Sequence, residues 1–160
     1  MTSIHVETVI AAPVDRCFLL SLSIDLHTES TSHTGERAVA GVTSGLIQMG
    51  QRVIWEARHF GIRQRFTSEI TAYERPSFFQ DTMISGAFAS FQHDHNFVAQ
   101  GNNTLMIDEL GFRAPLGILG KLAEELLLRR YLTGFLVERN RQIRQIAESD
   151  NWQKYLQTRK

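Results

Sequence analysis

The sequence predicts an α+β fold in which a curved antiparallel sheet of about 6–7 strands is covered by one long C-terminal helix. The first observation is a series of short alternating segments between residues 36 and 112, separated by turns that contain glycine. The second is an apolar stripe at helical spacing between Lys121 and Ser149. Because no other large element is predicted to cover the apolar face of the sheet, we expect the sheet to curl around this helix.

The N-terminal part predicts one strand and one short helix. Residues Ile4 to Ile10 alternate loosely between apolar and polar side chains, as a strand does. Pro13 suits the start of a helix that extends to Ser21, because the first turn of a helix needs no amide donor. Residues 25–35 are polar and rich in Ser, Thr and His, so a loop or a short irregular turn is expected there.

The middle of the chain predicts six further strands, which end at glycine turns such as Gly61 and Gly101-Asn102-Asn103. The third of these strands is expected to stop at Arg75-Pro76, because the residue before proline favours an extended or turn conformation. One domain is predicted over residues 1–150, and residues 151–160 are expected to form a frayed or loosely packed tail. The predicted strands are Arg37–Ala40, Gln51–His59, Ile62–Tyr73, Phe78–Ile84, Ser90–Ala99 and Thr104–Phe112.

Composition indicates an ordinary globular protein and excludes several classes of partner. Lys plus Arg equals Asp plus Glu at 17 each, so no net field attracts nucleic acid or an anionic membrane. No apolar run reaches the roughly 18 residues of a membrane span, so no stable membrane insertion is expected. Cys17 is the single cysteine, which fits a reducing compartment. Without a signal-like N-terminus, a cytoplasmic location is the expectation.

The segment FQHDHNF carries the main functional signal. Phe91, His93, His95 and Phe97 occupy alternate positions, so on a strand their side chains share one face. The opposite face is uniformly polar and suits water. Because the aromatic face should be buried, two titratable imidazoles are predicted in the interior. We therefore expect a cavity that holds a small molecule, water, or both.

Three interpretations of the two histidines stay open. They are neutral core residues satisfied by neighbours, hydrogen-bonding contacts to an apolar ligand, or general acid–base groups near neutral pH. No metal is expected, since a site needs a third ligand and spacing does not assign His59 or Glu109 to that role. No cofactor is expected either, because no phosphate loop or nucleophile motif is visible.

Other candidate ligand contacts come from the strands and from the long helix. The sequence does not decide whether Asp108 or Glu109 faces inward on the last strand, because both alternating sets of side chains contain apolar residues. The faces of Glu56 and Arg65 are open for the same reason. The full set of predicted ligand-binding residues is Trp55, Phe66, Phe91, His93, His95, Phe97, Glu109, Tyr131 and Phe135.

The sequence resembles the SRPBCC superfamily, whose helix-grip fold is shared by START lipid-transfer domains, birch-pollen-allergen-like proteins and polyketide cyclases. The resemblance covers nearly the whole chain and is closest to a bacterial cyclase/dehydrase-like subgroup. It implies a helix-grip fold with a ligand cavity between sheet and C-terminal helix. The matching segments are residues 50–55, 59–61, 81–83, 86–88, 91–97 and 115–120.

Three functions are compatible with this resemblance. The first is binding of a small hydrophobic or aromatic molecule, including a lipid, in the cavity. The second is a polyketide cyclase- or dehydratase-like enzyme that uses His93 or His95 as general acid or base on a carbonyl substrate. The third is a structural or regulatory partner with a vestigial cavity. One fold hosts all three, so the functional site must decide between them.

Overall fold

The computed structural model describes residues 1–157. Strand β1 and two short helices precede six consecutive antiparallel strands, and a long C-terminal helical segment follows. The strands are β1 (Thr2–Ile10), β2 (Arg37–Gly41), β3 (Arg52–His59), β4 (Ile62–Glu74), β5 (Phe78–Ser85), β6 (Ser90–Gln100) and β7 (Asn103–Arg113). The helices are α1 (Val14–Ser21), α2 (Ile24–Ser30), α3 (Gly117–Ala123), α4 (Arg129–Ala147) and α5 (Gln153–Leu156).

The seven strands form one antiparallel sheet in the order β1-β7-β6-β5-β4-β3-β2. Strand β6 pairs with β7 along its whole length, from Ser90 opposite Arg113 to Gln100 opposite Asn103. Gly101 closes this hairpin with a positive φ of 62°, a conformation that glycine adopts without steric cost. Register shifts in β2 and β4 mark irregularities of the kind that bend strands. The predicted α+β fold, a curved sheet with a C-terminal helix, is confirmed.

The core lies between the inner face of the sheet and the helices. Phe18 on α1 makes edge-to-face contacts with Phe79 at 5.7 Å and Phe97 at 5.4 Å between ring centroids. On α4, Leu136 and Ile143 are buried one above the other at a spacing of seven residues. Because helix positions seven apart share a face, both side chains lie on the buried side of α4, where Arg139 and Asn140 are buried between them.

The loop or short irregular turn predicted over residues 25–35 is wrong for residues 25–30, because Ile24–Ser30 is helix α2. The Ser23 side chain caps this helix by accepting a hydrogen bond from the Leu26 amide, and Ile24 and Leu26 are buried. Burial of these side chains and the cap outweigh the polar composition on which the loop prediction rested.

The C-terminal helical segment is longer and less regular than predicted. It begins at Gly117 rather than Lys121, and the π-helical turn Glu124–Leu128 separates α3 from α4. The chain after Asp150 is also better packed than expected, since Tyr155 is buried and its hydroxyl donates to Glu29 at 2.6 Å. Residues 158–160 of the predicted tail lie outside the described residues. Within residues 1–157, no helix combines the length and apolarity needed to cross a bilayer.

Candidate functional site

A cavity of about 170 Å³ lies between the inner face of the sheet and the helices α2 and α4. Its walls are mainly apolar and aromatic, and two groups of polar side chains interrupt them. We call the group on β5, β6, β7 and α4 the deep cluster, which consists of Asp81, His93, His95, Asp108, Arg139 and Asn140. We call the second group the outer cluster, which consists of His27, Glu36, His59 and Tyr131.

Strand β6 places both histidines of the deep cluster. His93 and His95 are 6% and 2% exposed, whereas Gln92, on the other face of the strand, is exposed. The rings lie next to each other, with centroids 3.7 Å apart. Phe79 on β5 stacks on His95 at 4.1 Å and covers its face. The alternation of β6 therefore turns the imidazoles into the interior, as the sequence pattern predicts.

Asp108 is the fully buried hub of the deep cluster and lies behind the two rings. Its Oδ1 accepts a hydrogen bond from His93 Nε2 at 2.9 Å. His95 Nδ1 lies 3.0 Å from the same oxygen, at ion-pair distance but with an angle unfavourable for a hydrogen bond. Asn140 Nδ2 donates to Oδ2 at 2.7 Å, and Arg139 Nη1 lies 3.5 Å from Oδ1. Helix α4 thus anchors the carboxylate that holds both rings.

Asp81 faces the same two rings from the opposite side. Its Oδ2 accepts a hydrogen bond from His95 Nε2 at 2.9 Å and lies 3.9 Å from His93 Nδ1. Each imidazole therefore has one nitrogen directed to Asp81 and the other directed to Asp108. Among residues 1–157, His93 Nδ1 has no hydrogen-bond partner, so its place in the cavity wall leaves this nitrogen available to a guest.

Strand register explains why these four side chains meet. Asp81 on β5 is directly opposite His93, and Asp108 on β7 is directly opposite His95. Directly opposed residues of antiparallel strands share a face, with Cβ atoms about 5 Å apart. Three neighbouring strands therefore deliver two carboxylates and two imidazoles to one spot on the inner face.

The carboxylates of the deep cluster are ionised at neutral pH. Burial raises the pKa of Asp108, but the contacts from His93 and His95 outweigh it and hold that pKa well below its usual range. Burial also raises the pKa of Asp81, and the His95 hydrogen bond together with the charges around it outweighs this effect, so the pKa of Asp81 is lowered too. Both side chains therefore carry a negative charge.

The two imidazoles respond in opposite directions. Burial lowers the pKa of His93, and the neighbouring His95 lowers it further. Burial also lowers the pKa of His95, but Asp108 and Asp81 raise it by more, so its pKa is raised overall. The charge of Arg139 and the raised pKa of His95 counter the negative charge of the two carboxylates, whereas the lowered pKa of His93 favours its neutral form. Carboxylates with positive partners this close avoid the cost of an isolated buried ion.

The outer cluster is more loosely connected. Tyr131 and His59 share a hydrogen bond of 2.6 Å between the hydroxyl and Nδ1. His27 Nε2 lies 3.4 Å from a carboxylate oxygen of Glu36, and the His27 ring lies over Trp55 with centroids 4.4 Å apart. The other Glu36 oxygen is buried and has no hydrogen-bond partner within residues 1–157. This part of the cavity wall therefore has unused hydrogen-bonding capacity.

The structure brings seven of the nine predicted ligand-binding residues to the cavity. Directly opposed Trp55 and Phe66 share the inner face of β3 and β4. The seven residues that line the cavity are Trp55, Phe66, Phe91, His93, His95, Tyr131 and Phe135.

Two predicted contacts lie elsewhere. Phe97 is buried in the core against Phe18 and is not part of the cavity wall. Glu109 lies on the outer face of β7, exposed and 3.4 Å from His5, so its prediction as a ligand contact is corrected. Asp108, the other candidate for the inward position on β7, is the buried residue.

The faces of Glu56 and Arg65, which the sequence left undecided, are also resolved. The two side chains form an ion pair at 3.2 Å across β3 and β4, on the face opposite Trp55.

Sequence reasoning missed Asp81, Arg139 and Asn140 as members of the cluster, and Glu36 as part of the cavity wall. The signal for Asp81 is its cross-strand position opposite His93, which requires the register of β5 against β6. Arg139 and Asn140 follow the apolar stripe of α4 at three and four residues after Leu136, so helical spacing places them on the same side. No comparable signal marks Glu36, which lies between elements.

The fold is shared with proteins of low sequence identity. No protein-family model matches the chain, and no curated protein matches its sequence. The protein TTHA0849 from Thermus thermophilus is similar in structure, with a TM-score of 0.69 and 18% identity over 89% of this chain and 97% of that one. Ginseng major latex-like protein 151 from Panax ginseng has a TM-score of 0.68 and 17% identity, over 92% and 98%.

Ara h 8.0201 is also similar in structure, with a TM-score of 0.60 and 12% identity over 89% of this chain and 97% of that one. Each of these structures is matched along nearly its full length, so the similarity extends to the whole domain. The chain therefore has the helix-grip fold, which is the fold that its sequence resemblance implied. At these identities the similarity establishes the fold, and function has to be argued from the cavity.

Proposed function

We propose that the protein binds a small, largely hydrophobic molecule of about one ring, with a hydrogen-bonding substituent, in the cavity between sheet and α4. The observation that carries the proposal is an apolar cavity of about 170 Å³ with polar groups converging at its deep end. Binding pockets are typically apolar with a few placed polar groups. The resemblance to the SRPBCC superfamily supports the same function.

Cavity size narrows the class of ligand. An apolar cavity of about 150 Å³ accommodates benzene, whereas pockets for drug-sized molecules span roughly 300–1,000 Å³. The size therefore favours a monocyclic guest over a long lipid chain or a multi-ring polyketide. The free Nδ1 of neutral His93 is an acceptor, so a hydroxyl or N–H donor on the ring is the preferred substituent.

Trp55 provides a direct readout of binding. The chain has two tryptophans, and Trp152 lies apart from the cavity, where the Arg16 guanidinium covers its ring at 4.3 Å. In a Trp152→Phe background, Trp55 fluorescence reports on the cavity wall alone. Titration with phenol and with toluene compares two guests of similar size that differ in a hydroxyl group. Both are expected to change Trp55 fluorescence, and phenol is expected to bind more tightly.

Matched variants separate cavity binding from surface binding. Ala57 lines the cavity, so Ala57→Leu should fill it and abolish binding of both probes. Ala99→Leu places the same side chain on an exposed position of β6 and should leave binding unchanged. His93→Gln should weaken the binding of phenol about 2–10-fold relative to that of toluene, which corresponds to the loss of one hydrogen bond. If the folded protein binds neither probe, and native mass spectrometry of freshly purified protein shows no retained molecule, the proposal is wrong.

A second function, proton transfer at a carbonyl compound, is favoured by the orientation of His93. His93 Nε2 donates a hydrogen bond of 2.9 Å to Asp108 Oδ1, which leaves the Nδ1 lone pair directed to the cavity, as in an oriented general base. Exchange of the α-protons of cyclohexanone in deuterated buffer, followed by NMR, tests this role. An enzyme should lose about 100-fold in exchange rate on His93→Gln. A binding protein should show no exchange above the buffer rate in either form.

A further inference from the structure

We propose that Asp81, His93 and His95 form a site for one divalent transition-metal ion at the deep end of the cavity. Each residue offers one ligand atom, and these atoms lie within 4.8 Å of one another. The site does not depend on the proposed organic ligand.

The distances fit a metal site after small side-chain movements. Asp81 Oδ2 lies 2.9 Å from His95 Nε2 and 3.9 Å from His93 Nδ1. Ligand atoms placed about 2.0–2.1 Å from a tetrahedral ion are about 3.3 Å apart, which lies between these two distances. An ion would replace the proton that His95 now shares with Asp81. Since the three residues belong to the neighbouring strands β5 and β6, their backbones already hold them in place.

The other nitrogens of both rings support this assignment. His93 Nε2 and His95 Nδ1, which point away from Asp81, both lie next to Asp108 Oδ1 at 2.9 and 3.0 Å. A carboxylate on the outer nitrogen of a metal-binding histidine fixes the ring orientation and raises its basicity. Asn140 holds the other oxygen of Asp108 at 2.7 Å. A histidine that only fills a core needs one partner for its N–H. Here the ring nitrogens that point away from Asp81 both lie next to a second carboxylate, that of Asp108.

The donor set selects the class of ion. Two imidazole nitrogens and one carboxylate oxygen suit zinc, iron, cobalt or nickel, whereas calcium and magnesium prefer sets made of oxygen. Asp81, His93 and His95 all line the cavity, so further coordination positions face its interior. Water or a polar group of a guest would occupy them. The structure therefore combines three protein ligands with an open side, the arrangement that reactive metal sites use.

Cobalt(II) titration of protein stripped with EDTA tests the site. The wild type is expected to bind one equivalent of Co²⁺ with visible d–d bands, which Zn²⁺ but not Mg²⁺ abolishes. His93→Gln and Asp81→Asn each remove a ligand and should lose the bands. Asp108→Asn should weaken Co²⁺ binding about 10–100-fold, since it removes only the support of the rings. His5→Gln is the matched control on the exposed face of β1 and should bind as the wild type does.

A second readout needs no variant. In the wild type, Co²⁺ should shift and broaden the ring-proton NMR signals of His93 and His95 before those of the other histidines. Absence of Co²⁺ and Zn²⁺ binding by the folded wild type overturns the proposal, as does binding that survives both His93→Gln and Asp81→Asn. The phenol and toluene titrations are run in EDTA, so failure of the metal site leaves the organic-ligand proposal intact, and the reverse also holds.

Discussion

The deep and outer clusters lie at the same cavity and both pair histidines with carboxylates, but they are built differently. The deep cluster stands on three adjacent strands and α4, and its two carboxylates contact both imidazoles within 4 Å. The outer cluster is assembled from α2, the connection before β2, the end of β3 and α4, and it leaves a Glu36 oxygen without a partner among residues 1–157. Adjacent strands fix side chains by register, so they can hold a dense polar network that separate elements do not.

Loss of Asp108 should give the largest effect, because it breaks the hub of the deep cluster. Asp108→Asn leaves Arg139 and His95 buried without the carboxylate that neutralises them. Removing one partner of a buried ion pair typically costs about 3–5 kcal/mol, and we expect a loss of that size in the free energy of unfolding. Urea denaturation of the metal-free protein measures it.

Asp94→Asn is the matched control for this prediction. Asp94 lies on the same strand as His93 and His95 but on the outer face, where Gln80 and Gln92 donate to it. Surface hydrogen bonds of this kind contribute little, so the expected change is within about 0.5 kcal/mol. Equal destabilisation by the two substitutions would contradict a special role for the deep cluster.

The two clusters should also differ in their response to pH. The pKa of His95 is raised by Asp108 and Asp81 despite burial, so its stabilising contribution is complete below about pH 6.5 and is lost as pH rises through its folded pKa. Burial lowers the pKa of His93 and of His59. Their contributions are present above about pH 6.5 and are lost as pH falls through the folded values.

Stability of the metal-free protein should therefore be greatest near about pH 6.5 and decline on both sides, by no more than about 1.4 kcal/mol per pH unit for each group. His95→Gln should reduce the decline on the alkaline side and leave the part due to His5, whose pKa is raised by Glu7 and Glu109 at the surface. His59→Gln should reduce the decline on the acid side and leave the part due to His93. Urea denaturation between about pH 5 and pH 8 gives these slopes. An unchanged alkaline slope in His95→Gln would show that Asp81 and Asp108 do not hold its proton.

The same contrast explains what the sequence could predict. His93 and His95 were predictable because a period of two places them on one face with Phe91, whatever strand lies beside them. Asp81 was not, because its role depends on the register between β5 and β6, which single-strand patterns do not contain. The choice between Asp108 and Glu109 stayed open because both phases of β7 carry apolar residues.

The residues of the outer cluster were harder to predict from the sequence than those of the deep cluster. His27 falls in a segment whose polar composition indicated a loop, while the cap at Ser23 and the burial of Leu26 make it helix α2. Its partner Glu36 comes nine residues later and after another turn. Tyr131 was predicted as a ligand contact because it is an aromatic residue of the long helix, whose core side and cavity side nearly coincide in this fold. Its hydrogen bond to His59 joins elements 72 residues apart, which requires the tertiary fold.

Loss of the Tyr131 hydroxyl should give the smallest of these effects. Tyr131→Phe removes the 2.6 Å hydrogen bond to His59 without leaving a cavity. Both side chains are half-buried, so water can replace the lost partner. We therefore expect the free energy of unfolding to fall by about 0.5–1.5 kcal/mol. Tyr73→Phe is the control, since its ring packs on Phe18 and its hydroxyl has no hydrogen-bond partner within residues 1–157. A loss in Tyr131→Phe as large as that in Asp108→Asn would mean that the outer cluster is coupled as tightly as the deep cluster, and the distinction between register-built and assembled sites would fail.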